Sequence, residues 1–327
     1  MKSSTTTLSK GQRVKDILNT LGIWTILLLL FLFLAVTTGD TFLRSTNLIN
    51  LVRQICVNGV IAIGATFVVC GGEIDLASGK MAALAGCGSA MLIVDYGMNT
   101  WLAILIALLV GVVFGGISGV VVTLLKVPAF IATLGMMYVL DGLVLLMTRG
   151  TPITGLPDEY VAIGRGYAGP IPIPVIILLV LVLLSAFVFR YTQFGRNIVT
   201  VGENAVSSRL SGINVAAIKI AVFAVGGAMS AAAGVMLTGR LSSGQPTAAD
   251  DLSLTGMAAV FVGGTSSTNT QGAALKTLAG ALFIGMINNG MNLLEINAYW
   301  QKIVLGIIII LAIAMDVYRT EKAARQA

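Results

Sequence analysis

The chain contains no histidine, and only 10% of its 327 residues are charged. Soluble domains carry roughly 25% charged residues. Without histidine there is no HExxH zinc site and no Ser-His-Asp triad. Cysteine is scarce too. Cys56, Cys70 and Cys87 lie in or beside apolar runs without metal-ligand spacing, and read as small packing residues. No Gly-x-x-x-x-Gly-Lys-Ser/Thr stretch occurs, so the chain carries no P-loop for ATP. A Gly-x-Gly-x-x-Gly does occur at Gly164, Gly166 and Gly169. It follows no strand and runs into Pro170 and Pro172, so it is a chance match.

What the chain has is apolar surface: 57% hydrophobic residues and a mean hydropathy of +0.95. Many apolar runs reach or approach the ~20 residues needed to cross ~30 Å of hydrocarbon. The composition predicts an all-α polytopic membrane protein, because lipid forces the backbone to satisfy itself in helices. Ten spans are expected: Leu21 to Thr38, Leu51 to Cys70, Asp75 to Val94, Trp101 to Leu125, Pro128 to Thr148, Pro174 to Phe189, Ile218 to Leu237, Leu252 to Val262, Ala273 to Met291 and Ile303 to Val317. The eighth is short. Eleven residues reach only ~17 Å as a helix, so this span must be extended, broken or re-entrant. The N-terminal run is too long for a signal peptide and lacks a small-residue cleavage site, so it reads as a retained span.

Lys and Arg set the orientation. With both termini cytoplasmic, 14 of them fall on the inner side, Lys80 among them, and 6 on the outer side. That bias is what the positive-inside rule expects. The net charge of +6 sits in short loops between spans and implies no nucleic-acid partner. The orientation places Gly195 to Lys219 in the cytoplasm and Arg149 to Ile173 outside. The first of these loops is the most informative stretch. It is a polar island of 25 residues, GRNIVTVGENAVSSRLSGINVAAIK, between two apolar runs. Asn204 is placed to cap a short helix through Val206, Arg209 and Leu210. Such a helix is what a soluble partner needs in order to push on a membrane protein.

Polar residues within spans are expensive in lipid and therefore informative. Asp141 lies in the fifth span. Asn288, Asn289 and Asn292 cluster in the ninth, and together with Asn58 are candidates for a polar path or for helix-to-helix hydrogen bonds. Glu73 and Asp75 sit in GGEIDLASG, read as a cytoplasmic turn where acids favour a helix N-terminus. Gly111, Gly115 and Gly119 make two overlapping GxxxG patterns, read chiefly as close packing within the bundle. Finally, GGEIDLASGKMAALAG at 71 to 86 is faintly echoed by GGTSSTNTQGAALKTLAG at 263 to 280.

Several stretches together resemble one family. They are GGEIDLASG at 71 to 79, PAFIATLGMM at 128 to 137, GRGYAGPIPIP at 164 to 174 and GRNIVTVGENAVSSRLSGINV at 195 to 215. RLSSGQPTA at 240 to 248, AAVFVGGTS at 258 to 266 and NNGMNLL at 288 to 294 complete the set. In this order and spacing, over about Asn47 to Asp316, the chain resembles the permease subunits of ribose-type sugar ABC importers. Two departures stand out. Ala77 to Lys80 replaces a Ser-Val-Gly-Ser common among members, which adds a charge, and Ser207 and Ser208 replace an Ala-Ala pair.

The resemblance implies a type II-like permease fold of about ten helices in one domain over 1–327, with N- and C-termini cytoplasmic, in the bacterial inner membrane. It also implies a second permease subunit, identical or not, a cytoplasmic ABC ATPase that binds ATP and magnesium, and a periplasmic sugar-binding protein. The chain itself would bind no cofactor or metal and perform no bond chemistry. The coupling element would be Glu203, Asn204, Arg209, Leu210, Ser211, Gly212, Ile213 and Asn214. Arg149, Asp158, Glu159 and Arg240 would meet the binding protein. The cargo would be a monosaccharide. The alternatives are an ABC permease for a nucleoside or branched-chain amino acid, and an ion-coupled secondary transporter, for which Asp141 is the candidate buried acid.

Overall fold

The computed structural model describes residues 10–267, 270 and 272–324. It is almost wholly helical. In chain order the elements are α1 (Lys10–Thr37), α2 (Asp40–Leu43), α3 (Ser45–Cys70), α4 (Ser78–Val94), α5 (Thr100–Thr123), α6 (Ala129–Thr148) and α7 (Asp158–Arg165). A two-stranded hairpin, β1 (Tyr167–Ala168) and β2 (Ile171–Pro172), precedes α8 (Ile173–Tyr191). Then come α9 (Gln193–Glu203), α10 (Ala205–Leu210), α11 (Val215–Leu241), α12 (Leu252–Val262), α13 (Ala273–Leu293) and α14 (Ala298–Ala324). Among the described residues, six helices are long and apolar enough to cross a membrane: α3, α5, α6, α8, α11 and the apolar part of α14. Shorter apolar helices, α4, α12 and the Gly22–Thr37 part of α1, join them. The chain is a multi-pass membrane protein.

Two helices form the centre. The apolar window of α3 is 83% buried, against 22% for α5, α6 and α8. Next most enclosed is α11, which packs on α3, α4 and α5. Glycine lets it do so. A Cβ at Gly227 of α11 would stand 2.1 Å from the Gly111 carbonyl oxygen, and one at Gly115 would stand 2.3 Å from the Phe223 carbonyl oxygen. The GxxxG face of α5 is therefore spent inside this bundle, where backbone meets backbone. The outer helices instead turn Leu, Ile, Val and Phe side chains outward, as at Leu105, Leu109, Leu183 and Ile310. In lipid such exposure carries no hydrophobic cost.

The bundle has two distinct ends. One carries α9 and α10; the other carries α7 and the hairpin. At the first, Gly72 and Gly202 touch, and Lys219 pairs with Glu73. At the second, Gly164 lies against the backbone of Gly239 and Arg240. Tyr160 of α7 is fully buried and shares a 2.6 Å hydrogen bond with Ser89 of α4, which pins α7 to the bundle. Burial raises the pKa of that phenol. Two glycines of the Gly-x-Gly-x-x-Gly match have backbone duties: Gly164 permits this close approach, and Gly169, at φ +63, turns the hairpin.

Two connections depart from simple helical spans. The eighth span resolves as chain without helix over 242–251 followed by α12. The non-helical stretch runs alongside α4: Gly244 lies against Cys87 and Ala90, and the Ala249 carbonyl lies against Gly79. The third span also starts deeper than the sequence implied. Gly234 of α11 abuts Ala82, so Ser78, four residues earlier and ~6 Å lower, is level with the middle of α11. By contrast Gly71 lies against Val222, eight residues and ~12 Å nearer the α10 end than that level. Lys80 therefore does not sit in a turn at the α10 end, as its inclusion in the inner-side charge count assumed. The remaining basic residues still carry the bias.

The faint internal echo has a structural counterpart. After α3, Gly71, Gly72 and Glu73 donate to Phe67, Val69 and Val68; after α12, Gly263, Gly264 and Thr265 donate to Ala259, Phe261 and Val260. Both are helix ends closed by a left-handed glycine, Gly72 at φ +79 and Gly264 at φ +77. The likeness is local. Past Gly264 the chain re-enters α13 at the same end, with Gly263 against Lys276, whereas α4 begins well inside the bundle.

Candidate functional site

The expected short helix is α10, and its boundaries follow from its caps. Asn204 accepts a 2.9 Å bond from the Ser207 amide, satisfying an N-terminal donor. At the other end the amides of Gly212 and Ile213 bond back to Arg209 and Ser208, with Gly212 at φ +82. Ser211 closes onto the Ser207 carbonyl, and Asn214 caps α11 by accepting from Ala217. Only Ser208 of α10 is buried. Glu203, Arg209, Ser211 and Asn214 are exposed. So are Val206, at 71%, and Leu210, at 85%, one helical turn apart. A rigid helix thus presents two apolar side chains and one guanidinium away from the bundle. Ile213 is half-buried at the turn into α11.

The sequence reading missed α9 as a separate element. It begins at the Thr192 cap, which accepts from Gly195, and buries Ile198 and Val201. A Cβ at Gly202 would stand 1.9 Å from the Cys70 carbonyl oxygen. This contact lays α9 directly on the end of α3, the most enclosed helix. The apolar residues Phe194, Ile198 and Val201, spaced four and three apart, were the available signal.

The expected outer contacts do share one end. Arg149 ends α6 in a left-handed conformation, and Asp158 and Glu159 open α7; all three are exposed. Arg240 lies near the end of α11 beside two arginines the sequence reading did not single out. Arg165 Nε donates to the Arg240 carbonyl at 2.5 Å, Arg53 donates to the Arg165 carbonyl, and the Arg53 guanidinium lies 5.0 Å from the centre of the Tyr167 ring. Among the described residues none of the three forms an ion pair.

The asparagines do not form one site. Asn289 is buried and exchanges two amide bonds with Asn47, at 2.9 and 3.2 Å, tying α13 to the start of α3. Asn292 is exposed and accepts from Gln301. Asn288, half-buried, lies one turn from Asn292. Asn58 is buried on α3, eleven residues and ~16 Å along the helix from Asn47. The Asn47–Asn289 pair acts as a clamp. Interhelical bonds in membrane proteins average about 0.6 kcal/mol. We therefore expect Asn289→Ala to lower the thermal midpoint by a few degrees in detergent while leaving the transport KM unchanged. A raised KM would return Asn289 to the path.

The charges inside the bundle are brought together elsewhere. Lys80 Nζ lies 2.6 Å from Asp141 and 2.6 Å from Asp250. Three segments far apart in sequence meet there: the first turn of α4, the middle of α6 and the non-helical chain before α12. Asp75 is buried nearby in sequence and accepts from the Ala77 amide, so it does brace the approach to α4, although Ala77 holds the cap position.

Comparison with known proteins gives a consistent result. Residues 47–313 match the family described as the branched-chain amino acid transport system / permease component. The ribose import permease protein RbsC of Haemophilus influenzae is 42% identical over 90% of this chain and 92% of its own length. The ribose import permease protein RbsC of Escherichia coli is 39% identical over 89% and 92%. The xylose transport system permease protein XylH of Haemophilus influenzae is 30% identical over 89% and 94%. No solved structure matches. On the extent of the family match and of the identity to these full-length relatives, the chain belongs to the branched-chain amino acid transport system / permease component family.

Proposed function

We propose that the chain is the membrane-spanning subunit of an ATP-driven sugar importer, passing a monosaccharide of the pentose or hexose class. The observation that carries this reading is α10: an exposed, doubly capped helix with Val206 and Leu210 facing away from the bundle. Among the described residues, Val206 and Leu210 stay 71% and 85% exposed, so nothing covers that face. A cytoplasmic ATPase that grips it would drive the bundle through α9 and α11, which flank it. The similarity to ribose and xylose permeases supports the cargo class. The chain performs no bond chemistry; ATP and magnesium belong to the ATPase.

In this reading the α10 end is cytoplasmic and the α7 end periplasmic. The chain crosses a bacterial inner membrane ten times with both termini inside, α12 and the non-helical chain before it together making the eighth crossing. Residues 195–219 form the coupling loop and 149–173 the outer loop. A second permease subunit completes the path, and a periplasmic sugar-binding protein docks on the α7 end. ATP binding closes the ATPase pair, α10 shifts, and the outward-open bundle becomes inward-open. Each partner must bind the two states with different affinity for this to work.

The test is uptake into proteoliposomes. Ribose or xylose should enter only when the permease, the ATPase, ATP and the binding protein are all present. Uptake by the permease alone, driven by an ion gradient, would contradict the proposal.

The arginine group makes a second prediction. Among the described residues Arg53, Arg165 and Arg240 form no ion pair, so carboxylates on the binding protein suit them. Arg165→Glu should raise the binding-protein concentration needed for half-maximal ATPase stimulation about tenfold, with basal hydrolysis unchanged. The loss should shrink at high salt, as exposed charges are screened.

A further inference from the structure

We propose that Lys80, Asp141 and Asp250 line a water-filled path across the middle of the membrane and hydrogen-bond the hydroxyl groups of a neutral cargo as it passes. The proposal rests on the permease reading above and deepens it.

Four observations converge. Lys80 bridges both carboxylates at 2.6 Å, yet the side chains are 13%, 32% and 45% exposed, so the cluster reaches the surface of the chain. It does so at mid-depth. Ser78 is level with the middle of α11, and Asp141 is twelve residues, ~18 Å, along α6 from its start at Ala129. Charged side chains at that depth are costly against hydrocarbon and face a bundle interior or a water-filled cavity.

The backbone makes the same demand. Residues 242–251 run without helix between the α7 end and this level. Non-helical backbone at membrane depth is tolerated only where protein buries it or where it lines water. Ser243, Gly244, Pro246 and Ala249 face the protein, but Thr247 and Asp250 are exposed.

Two helix starts also meet here. The Gly79 amide donates to Ser253 Oγ at 2.6 Å, and that hydroxyl donates to the Leu76 carbonyl at 2.8 Å, joining the first turns of α4 and α12. Interrupted helices whose N-termini meet at mid-depth are the recurring frame of transport sites. Ser78 Oγ lies in the first turn of α4, 4% exposed, with no hydrogen-bond partner among the described residues. A buried hydroxyl left unpaired is costly, and a polar ligand or water beside this turn would satisfy it.

The chemistry indicates the class of cargo. Carboxylates accept hydrogen bonds from sugar hydroxyls, and the ammonium donates to hydroxyl oxygens. Two carboxylates against one ammonium leave the cluster net negative. A neutral polyhydroxylated molecule fits it.

The experiment uses the complete importer in proteoliposomes, with Cys56, Cys70 and Cys87 replaced by alanine. Thr247→Cys should react with a charged, membrane-impermeant methanethiosulfonate, and ribose with its binding protein should slow that reaction. Leu183→Cys, on the lipid-facing side of α8, should not react. If Thr247→Cys resists the charged reagent but reacts with a lipid-soluble maleimide, the face is dry and the proposal fails. Separately, Asp250→Asn should raise the transport KM about tenfold, as expected for a lost hydrogen bond to a charged group, with kcat little changed. Asp141→Asn, which keeps the side chain's size, serves as the second variant should Asp250→Asn not fold. An unchanged KM in a folded variant would overturn the proposal. If no complex takes up sugar, the sugar reading fails, while the labelling contrast still decides whether the face is wet.

Discussion

Replacing Leu210 with aspartate is expected to abolish sugar-stimulated ATP hydrolysis by the importer while the permease still inserts and folds. Leu210 is 85% exposed, so the permease loses little by the change. Its partner would lose a great deal. Burying a leucine in an apolar groove is worth about 1.5–3 kcal/mol, and a carboxylate in the same groove adds a desolvation cost. Together these terms exceed the ~2.7 kcal/mol that corresponds to a hundredfold change in binding. Val206→Asp, one turn away on the same helix, should act in the same direction. The check is ATPase activity in reconstituted vesicles, with detergent-solubilised permease run by size exclusion as the folding control. Stimulation that survives both substitutions would remove α10 from the coupling role.

The second large effect concerns two adjacent glycines. A Cβ at Gly115 would sit 2.3 Å from the Phe223 carbonyl oxygen, whereas one at Gly116 would meet nothing within 4 Å. Gly115→Ala should therefore force α5 from α11, the two helices that pack most intimately. Overpacking costs typically 1–3 kcal/mol, and a backbone obstacle cannot rotate away, so the upper end or beyond applies. Against a total stability of about 5–15 kcal/mol that is a large share. Gly116→Ala should be neutral, or slightly stabilising through helix propensity. Yield of monodisperse protein and thermal midpoint in detergent read both. Equal damage from the two substitutions would contradict the packing of α5 on α11.

Much of this architecture could be read from residue patterns, because the determinants are local. Asn204 and Gly212 mark the two ends of α10 by their own backbone chemistry. The GxxxG face of α5 announces close packing through side-chain size alone. An apolar run of eleven residues is too short for the membrane whatever surrounds it, which is why the eighth span was expected to be irregular. Gly71-Gly72 and Gly263-Gly264 carry the same helix-stop chemistry in both copies of the echo.

The charged clusters that escaped are those assembled by tertiary contact. Lys80 meets Asp141 and Asp250, 61 and 170 positions away, and nothing in the local sequence of GGEIDLASGK distinguishes a turn at a membrane face from a climb into the bundle. Treating Lys80 as an orientation signal assigned it to the wrong depth for that reason. Arg53 and Arg165 were likewise counted as outer-side charges, although their contacts join α3, α7 and α11 into one cationic group. The asparagines left two readings open, a polar path and helix-to-helix hydrogen bonds, and Asn289 takes the second, its side chain committed to Asn47.

Coupling to an ATPase depends on what α10 touches. Leu210→Cys, in a permease whose three cysteines are replaced, can be cross-linked to the ATPase in inside-out vesicles. The expected result is a cross-link between permease and ATPase whose yield changes when ATP is added, together with labelling of residue 210 by impermeant reagents from the cytoplasmic face alone. Labelling from the periplasmic face only, with no cross-link under any nucleotide condition, would contradict it.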